Sequence, residues 1–189
     1  MNHDLFQPWR VIAEKEVFSA PPWIHLFRQT VKLPDGRIVD DYHRIQLPEF
    51  VAIVARTTAG KILVERQYKH GIGHVTLTVP AGATSPGEDA LAAAKRELME
   101  ETGYISDEWQ LLGRFPANGS YGCGAMSLCV ASNVQKASEP KSGDLEEMEI
   151  LALTPEELFA SIRNGRMSAL GSVTAVALAL NPDFAKIGG

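Results

Sequence analysis

Residues 82–104 read GATSPGEDALAAAKRELMEETGY, and this stretch decides the fold that we predict for the chain. It predicts the strongest helix of the sequence, Asp89–Thr102, because its first half is rich in alanine. Ser85 is the predicted N-cap, and Glu88, three residues later, completes a capping box. Gly103 is predicted to end the helix in the left-handed conformation that favours glycine.

Acidic residues crowd one side of this helix. Glu97, Glu100 and Glu101 stand three and four residues apart, so that their carboxylates point to the same side. Like charges at this spacing destabilise a helix by a few tenths of a kcal/mol per pair, so a compensating cation is expected. Arg96 offsets part of the charge, and a hard divalent cation such as Mg²⁺ would offset more. Taken alone, however, an acid cluster is more typical of a solvated surface.

The segment before the helix favours the metal site. Gly82 is followed after five residues by Glu88, and after seven more by the run RELMEETGY, Arg96–Tyr104. This pattern resembles the complete Nudix box with every fixed position filled. Seven fixed positions, each met by chance less than about one time in ten, coincide at a given place with a probability of about 10⁻⁷ or lower. The resemblance implies an α+β fold, a Nudix-type α/β/α sandwich with a mixed sheet.

The same resemblance implies roles for individual residues. Nudix enzymes hydrolyse a nucleoside diphosphate linked to another group, using Mg²⁺ or Mn²⁺. Glu97, Glu100 and Glu101 would be the metal ligands, joined by the backbone carbonyl of Ala81. Arg96 would orient the glutamates by hydrogen bonds, which counts Arg96 and Glu100 among the predicted catalytic residues. The chemistry is sound, because metal ions neutralise a diphosphate, fix its phosphates and lower the pKa of bound water.

Similarity to the ADP-ribose pyrophosphatase branch of the family extends over most of the chain. Val64–Lys69 resembles a strand signature of that branch, and Phe115–Gly119 resembles its substrate loop. The run Glu146–Ile150 resembles its late acidic loop, in which a glutamate is the catalytic base. Glu146 is the best position for this base, and Glu147 is the second.

Substrate contacts are predicted at Lys69, Arg44, Trp23 and Asn118: the cations would contact phosphate, and Trp23 would stack on a base. Three positions depart from the pattern of the branch. Lys69 stands where arginine is usual and loses bidentate phosphate contact. Thr78 stands where glutamate is usual, and Asn118 stands where a proline is expected. These departures keep a nucleotide-sugar relative of ADP-ribose open as the substrate.

The rest of the chain mixes strands and helices without strict alternation, which favours an α+β fold. Residues 1–20 predict a short helix or strand at most, and Trp23–Gln46 predicts a β-hairpin. Residues 1–48 would therefore be an N-terminal segment and hairpin, which the resemblance implies as a homodimerisation element. Residues 49–189 would be the Nudix hydrolase domain. Further strands are predicted at 50–55, 61–68, 75–79, 111–115, 126–131 and 149–153, and further helices begin at Thr154 and Ser168.

Composition excludes several classes of function. The 189 residues carry a formal net charge of -5, which disfavours a nucleic-acid partner. No apolar run approaches the roughly 18 residues of a membrane-spanning helix, and the first residues do not resemble a secretory signal. The two cysteines, Cys123 and Cys129, predict buried thiols in a reducing compartment. We therefore expect a cytoplasmic protein with no membrane partner.

The predicted function is a divalent-metal-dependent pyrophosphohydrolase acting on a nucleotide-sugar substrate. ADP-ribose, cleaved to AMP and ribose 5-phosphate, is the first choice. Two alternatives stay open: hydrolysis of another nucleoside diphosphate sugar, of the GDP-mannose type, and a non-catalytic Nudix module that binds a nucleotide ligand.

Overall fold

The computed structural model describes residues 7–141, 143 and 147–184. Contacts divide the chain into two compact units. Unit 1 combines Met1–Glu49 with Pro116–Ala125, and unit 2 combines Phe50–Phe115 with Met126–Gly189.

Unit 1 contains three consecutive antiparallel strands: β1 (Arg10–Ala20), β2 (Ile24–Lys32) and β3 (Ile38–Gln46). Strands β2 and β3 confirm the hairpin predicted over Trp23–Gln46. The expectation of a short element at most in residues 1–20 is wrong, because β1 is a strand of 11 residues. Its first ten residues are all exposed, so β1 lacks the buried alternating face by which a strand is recognised in a sequence.

Unit 2 holds the mixed sheet. Its strands are β4 (Phe50–Thr57), β5 (Ile62–Lys69), β6 (His74–Thr78), β7 (Ala81–Ala83), β8 (Tyr104–Ile105), β9 (Glu108–Asn118), β10 (Gly122–Lys136) and β11 (Met148–Leu153). Strand β4 runs parallel to β10 and antiparallel to β7, while β5 is antiparallel to β4, β6 and β11. Strands β9 and β10 each have residues in both units.

The helices of unit 2 are α1 (Ala90–Thr102), α2 (Pro155–Arg163) and α3 (Leu170–Ala179). Successive residues of β4 point to opposite faces of the sheet. Val51 and Ile53 pack with α1, whereas Ala52 and Val54 pack with α2 and α3. This arrangement confirms the predicted α/β/α sandwich. Within the described residues, none of the helices combines the length and the apolar character required to cross a membrane.

Helix α1 matches the predicted range within one residue, but its N-cap differs from the prediction. Asp89 is its N-cap and accepts hydrogen bonds from two backbone N–H groups of the first turn, at 3.0 and 3.1 Å. The N-cap assignment of Ser85 is therefore wrong. The Glu88 carboxylate accepts from the Ser85 N–H at 2.8 Å, which closes a turn that precedes the helix. Gly103 is confirmed as the left-handed C-cap, with φ of 74°.

The two caps make a prediction for stability. Replacing Asp89 with Ala should lower the free energy of unfolding by about 1 kcal/mol, because two N–H groups lose their acceptor. Replacing Ser85 with Ala should lower it by less than about 0.5 kcal/mol, because no cap is lost. Urea unfolding of both variants beside the wild type measures the difference. A larger loss for the Ser85 variant would contradict the observed cap.

Both cysteines are free, as the sequence predicts. Cys129 lies in the core beside α1, where burial raises the pKa of its thiol to about 11. Cys123 is only half-buried, so the expectation that both thiols are buried is correct for Cys129 alone.

Candidate active site

Arg96 on α1 gathers three carboxylates around its guanidinium group. Its Nη1 donates to Glu97 Oε1 at 2.6 Å and to Glu100 Oε2 at 3.2 Å. Its Nε and Nη2 donate to the two oxygens of Glu88, each at 3.1 Å, and Nη2 also donates to the Ala83 carbonyl at 3.2 Å. Contact with the guanidinium is the main cause that lowers the pKa of Glu88. Arg96 thus fixes the orientation of the glutamates and ties them to the preceding loop.

Gly82 on β7 leaves the space in which the Glu97 carboxylate lies. A Cβ at this position would stand 2.0 Å from Glu97 Cδ and 2.2 Å from both carboxylate oxygens. The backbone of Gly82 is outside the left-handed region, so the glycine is required for space rather than for its conformation. This close approach explains physically why the pattern demands glycine here.

Glu101 is not held by Arg96 but lies inside the protein, between β7 and β5. It is buried, and its Oε2 accepts from the backbone N–H of Ala81 at 2.9 Å. Its carboxyl group also contacts the carboxyl group of Glu65 on β5. Burial is the largest cause that raises the pKa of Glu101, and the facing Glu65 raises it further. A buried acid pair of this kind needs a proton or a cation between its members.

A cavity of about 220 Å³ opens beside this pair. Glu65, Gln67 and Lys69 line it together, because residues two apart on β5 share one face. Gln67 Nε2 donates to Glu65 Oε2 at 2.8 Å and to the Thr78 hydroxyl at 3.0 Å. Thr78 lies directly opposite Glu65 in the β5–β6 pairing. The structure thus brings Lys69 and Thr78 together with two residues that the sequence analysis did not select, Glu65 and Gln67.

Two protein-family models match the sequence of this chain. A model described as the NUDIX domain matches residues 47–170, which is more than half of the chain. The chain belongs to the Nudix family. A second model, described as the nucleoside diphosphate sugar hydrolase N-terminal domain, matches residues 9–45. The predictions of a Nudix hydrolase and of a resemblance to its ADP-ribose pyrophosphatase branch are confirmed.

Individual relatives cover most of this Nudix chain. It is 29% identical to a methanol dehydrogenase activator of Bacillus methanolicus, over 88% of the chain and 90% of that protein. It is 28% identical to an ADP-ribose pyrophosphatase of Bacillus subtilis (strain 168), over 82% of the chain and 83% of that protein. A crystal structure of an ADP compounds hydrolase matches with a TM-score of 0.79 at 20% identity, covering 90% of this chain and 91% of that one. The structural match supports the fold.

The Nudix residues fit a divalent metal. Nudix hydrolases generally need such an ion, and carboxylate oxygens are the donors that Mg²⁺ prefers. Among the described residues, no three His, Cys, Asp or Glu side chains are grouped as a ready metal site. The contacts give the reason, because Arg96 holds Glu97 and Glu100 while Glu101 turns toward Glu65. The excess of buried and crowded negative charge is what a cation would relieve.

The pKa of Glu101, raised from an ordinary value of 4.5 to about 10, predicts how stability depends on pH. Glu101 keeps its proton in the folded state at pH values at which the unfolded chain releases it. Low pH therefore stabilises the folded state. This contribution is complete below pH 4.5 and is lost as the pH rises through the folded pKa. The slope cannot exceed about 1.4 kcal/mol per pH unit for one proton.

Urea unfolding of metal-free protein near pH 5, 7 and 9 measures this effect. We expect the free energy of unfolding to fall with pH in the wild type and to change less in a Glu101→Gln variant, which has no carboxyl group to titrate. Parallel pH profiles for the two proteins would contradict the assignment to Glu101.

Other predicted site residues lie in unit 1 or outside the described residues. Arg44 forms an ion pair with Glu14 at 3.3 Å and lies over an aromatic ring of β2. Trp23 is 69% exposed in the turn between β1 and β2. The Asn118 side chain accepts from two backbone N–H groups in the turn before β10, at 2.7 and 2.9 Å. Glu146, the predicted base, lies outside the described residues.

One signal in the sequence marks Glu65. It follows Ile62-Leu63-Val64 directly, and those three residues form the buried start of β5. An acid that continues such an apolar run is either at the end of the buried stretch or inside it. Its near-complete burial shows that it is inside. That burial depends on α1 and β6 and not on the local sequence.

Proposed function

We propose that this chain is a divalent-metal-dependent pyrophosphohydrolase that cleaves ADP-ribose, or a closely related nucleoside diphosphate sugar, to a nucleoside monophosphate and a sugar phosphate. The observation that carries the proposal is the placement of three box glutamates beside β7: Arg96 holds Glu97 and Glu100, and Glu101 accepts from the Ala81 N–H. Three glutamates held on one helix serve the chemistry of a diphosphate, whose own charge repels a nucleophile.

Each residue has a part in this reaction. Glu97, Glu100, Glu101 and the Ala81 carbonyl would hold the divalent ion. The ion, when bound, neutralises the diphosphate and lowers the pKa of bound water. Arg96 acts through the carboxylates that it orients, since its hydrogen bonds all go to them or to the Ala83 carbonyl.

Lys69 would contact a phosphate group of the substrate. It lines the cavity beside the Nudix box, so a positive charge lies near the predicted position of the metal. The cavity volume of about 220 Å³ suits one part of a nucleotide sugar rather than the whole molecule, because pockets for drug-sized ligands usually exceed about 300 Å³. Arg44, Trp23 and Asn118 remain proposed contacts for the other part.

The general base is proposed to be Glu146, with Glu147 as the second choice. Glu147 is exposed and lines a surface cavity together with Arg66 and Tyr68 of β5. Replacing each glutamate with Gln separates the two, because only the loss of the true base lowers kcat while metal binding stays unchanged.

Two findings support a nucleotide sugar as the substrate. The N-terminal match is to a domain of nucleoside diphosphate sugar hydrolases, and one relative is named an ADP-ribose pyrophosphatase. ADP-ribose is therefore proposed first. A GDP-mannose type of substrate is the alternative that the departures at Lys69, Thr78 and Asn118 keep open. A non-catalytic module is disfavoured, since all three box glutamates are present.

A substrate panel tests the proposal. Purified protein with Mg²⁺ is incubated with ADP-ribose, GDP-mannose, UDP-glucose, NADH, coenzyme A and dNTPs, and released monophosphate is measured. We expect AMP and ribose 5-phosphate from ADP-ribose as the dominant products. Preference for another nucleotide sugar would transfer the proposal to that sugar, and no turnover of any compound would refute it.

We also propose that unit 1 forms a homodimer. Strand β1 exposes Val11, Val17 and Phe18, each with 45–53% of its surface accessible, and neither face of the strand is covered. An exposed apolar strand of this length invites pairing or packing with another chain. We expect light scattering to give the mass of a dimer, and Phe18→Glu to shift it toward the monomer. A monomeric wild type at micromolar concentration would refute this.

A further inference from the structure

Glu65 is a buried acid that the proposed reaction does not yet use. It is 1% exposed on β5, where it receives hydrogen bonds from Gln67 at 2.8 Å and from the Thr78 hydroxyl at 3.4 Å. Its carboxyl group also contacts that of Glu101. Two carboxyl groups buried face to face are unfavourable unless a proton or a cation is placed between them.

Gln67 distinguishes these two possibilities. Its side chain is 2% exposed and lines the same cavity, and its Oε1 atom is buried without a hydrogen-bond partner. A proton shared by Glu65 and Glu101 would leave this oxygen unsatisfied, which is unfavourable for a buried acceptor. A cation would satisfy the amide oxygen and both carboxylates at once. The three groups are hard oxygen donors, which Mg²⁺ and Mn²⁺ prefer.

We propose that Glu65 and Gln67 on β5 form, with Glu101, an additional position for a divalent cation beside the Nudix box. The inference rests on the proposed function, because Glu101 is also one of the predicted box ligands. The position draws two of its ligands from a strand and not from the box helix. The cavity that Glu65 and Gln67 line has space for water molecules to complete the coordination.

The position of this cation predicts a role in binding the substrate phosphates. Lys69 lines the same cavity, two residues beyond Gln67 on β5. A phosphate that contacts Lys69 would therefore meet a second positive charge in the same cavity. The position also accounts for Thr78, where the related branch has glutamate. The acid lies on the neighbouring strand instead, at Glu65, directly across the β5–β6 pairing from Thr78.

Binding of Mn²⁺ to the protein without substrate tests this inference. Free Mn²⁺ is followed by electron paramagnetic resonance for the wild type and for Glu65→Gln, Glu97→Gln and Glu108→Gln. Glu108 is the matched control, because its exposed carboxylate accepts a hydrogen bond from Asn133 on β10 and does not line the cavity. We expect Glu65→Gln to weaken one bound ion by at least about tenfold, and Glu108→Gln to leave binding unchanged.

The outcomes separate this inference from the proposed function. If Glu65→Gln binds Mn²⁺ as the wild type does while Glu97→Gln binds it more weakly, the additional position is refuted and the box site stands. If the wild type binds no Mn²⁺, the metal requirement of the proposed function fails as well. Circular dichroism confirms that each variant is folded, and removal of a buried negative charge at Glu65 should not lower the melting temperature.

A second variant tests ligation itself. Gln67→Met keeps the length of the side chain but replaces the amide oxygen with a soft sulfur. We expect weaker Mn²⁺ binding together with an increased preference for Cd²⁺, which a purely structural role of Gln67 would not produce. An unchanged ratio of Cd²⁺ to Mn²⁺ affinity would overturn the assignment of Gln67 as a ligand.

Discussion

Replacing Glu101 with Gln is expected to lower kcat for the preferred nucleotide sugar by at least about a thousandfold. Gln keeps the size of the side chain and can still accept from the Ala81 N–H, so the local structure is preserved. The variant loses the negative charge that would hold a cation. The buried contact with Glu65 is relieved at the same time, because one of the two facing carboxyl groups is gone.

This combination of effects is diagnostic. Turnover at saturating Mg²⁺ and the urea midpoint are measured on the same preparation near pH 8. A catalytic role predicts loss of turnover in a protein at least as stable as the wild type. A structural role predicts that turnover and stability fall together. Activity within about tenfold of the wild type would contradict the proposed role of Glu101.

Replacing Gly82 with Ala is expected to lower kcat/KM by about a hundredfold or more. The added methyl group would occupy the place of the Glu97 carboxylate, 2.0 Å from its Cδ atom. The backbone conformation suits alanine, so the substitution acts by displacing Glu97 rather than by straining the chain. Glu97 would also lose its hydrogen bond of 2.6 Å from Arg96.

Gly71→Ala is the matched control for this variant. Gly71 has nothing within 4 Å of an added Cβ and no left-handed backbone conformation. We expect unchanged kcat/KM for Gly71→Ala, measured by the rate of monophosphate release. Equal activity of the two variants would show that the space at Gly82 is not required for the Glu97 carboxylate.

The sequence predicted the elements that carry strong local signals. The box helix, its glycine C-cap and the helix start at Thr154 are all encoded within a few residues, and each is present. The resemblance to the Nudix family implied the sandwich, and the mixture of strands and helices without strict alternation favoured an α+β fold. The N-cap of α1 was assigned to Ser85 because Glu88, three residues later, completes the pattern of a capping box. Glu88 does accept from the Ser85 N–H, but both residues precede the helix, and the Glu88 carboxylate also accepts from Arg96.

The remaining differences come from contacts between distant residues. Strand β1 has no buried face, so its pairing with β2 left no pattern in the sequence. Glu65 and Gln67 become site residues only because β5 packs against β6 and α1, which brings an acid from position 65 to an acid at position 101. Family patterns direct attention to the box and do not reveal such a neighbour.

The metal dependence of hydrolysis tests most directly whether the box glutamates hold a catalytic metal. Monophosphate release from ADP-ribose is measured for the wild type after treatment with EDTA, and again after Mg²⁺ is added in excess. We predict no release without metal and full recovery with Mg²⁺. Hydrolysis that continues unchanged in EDTA would contradict the central claim that these glutamates hold a catalytic metal.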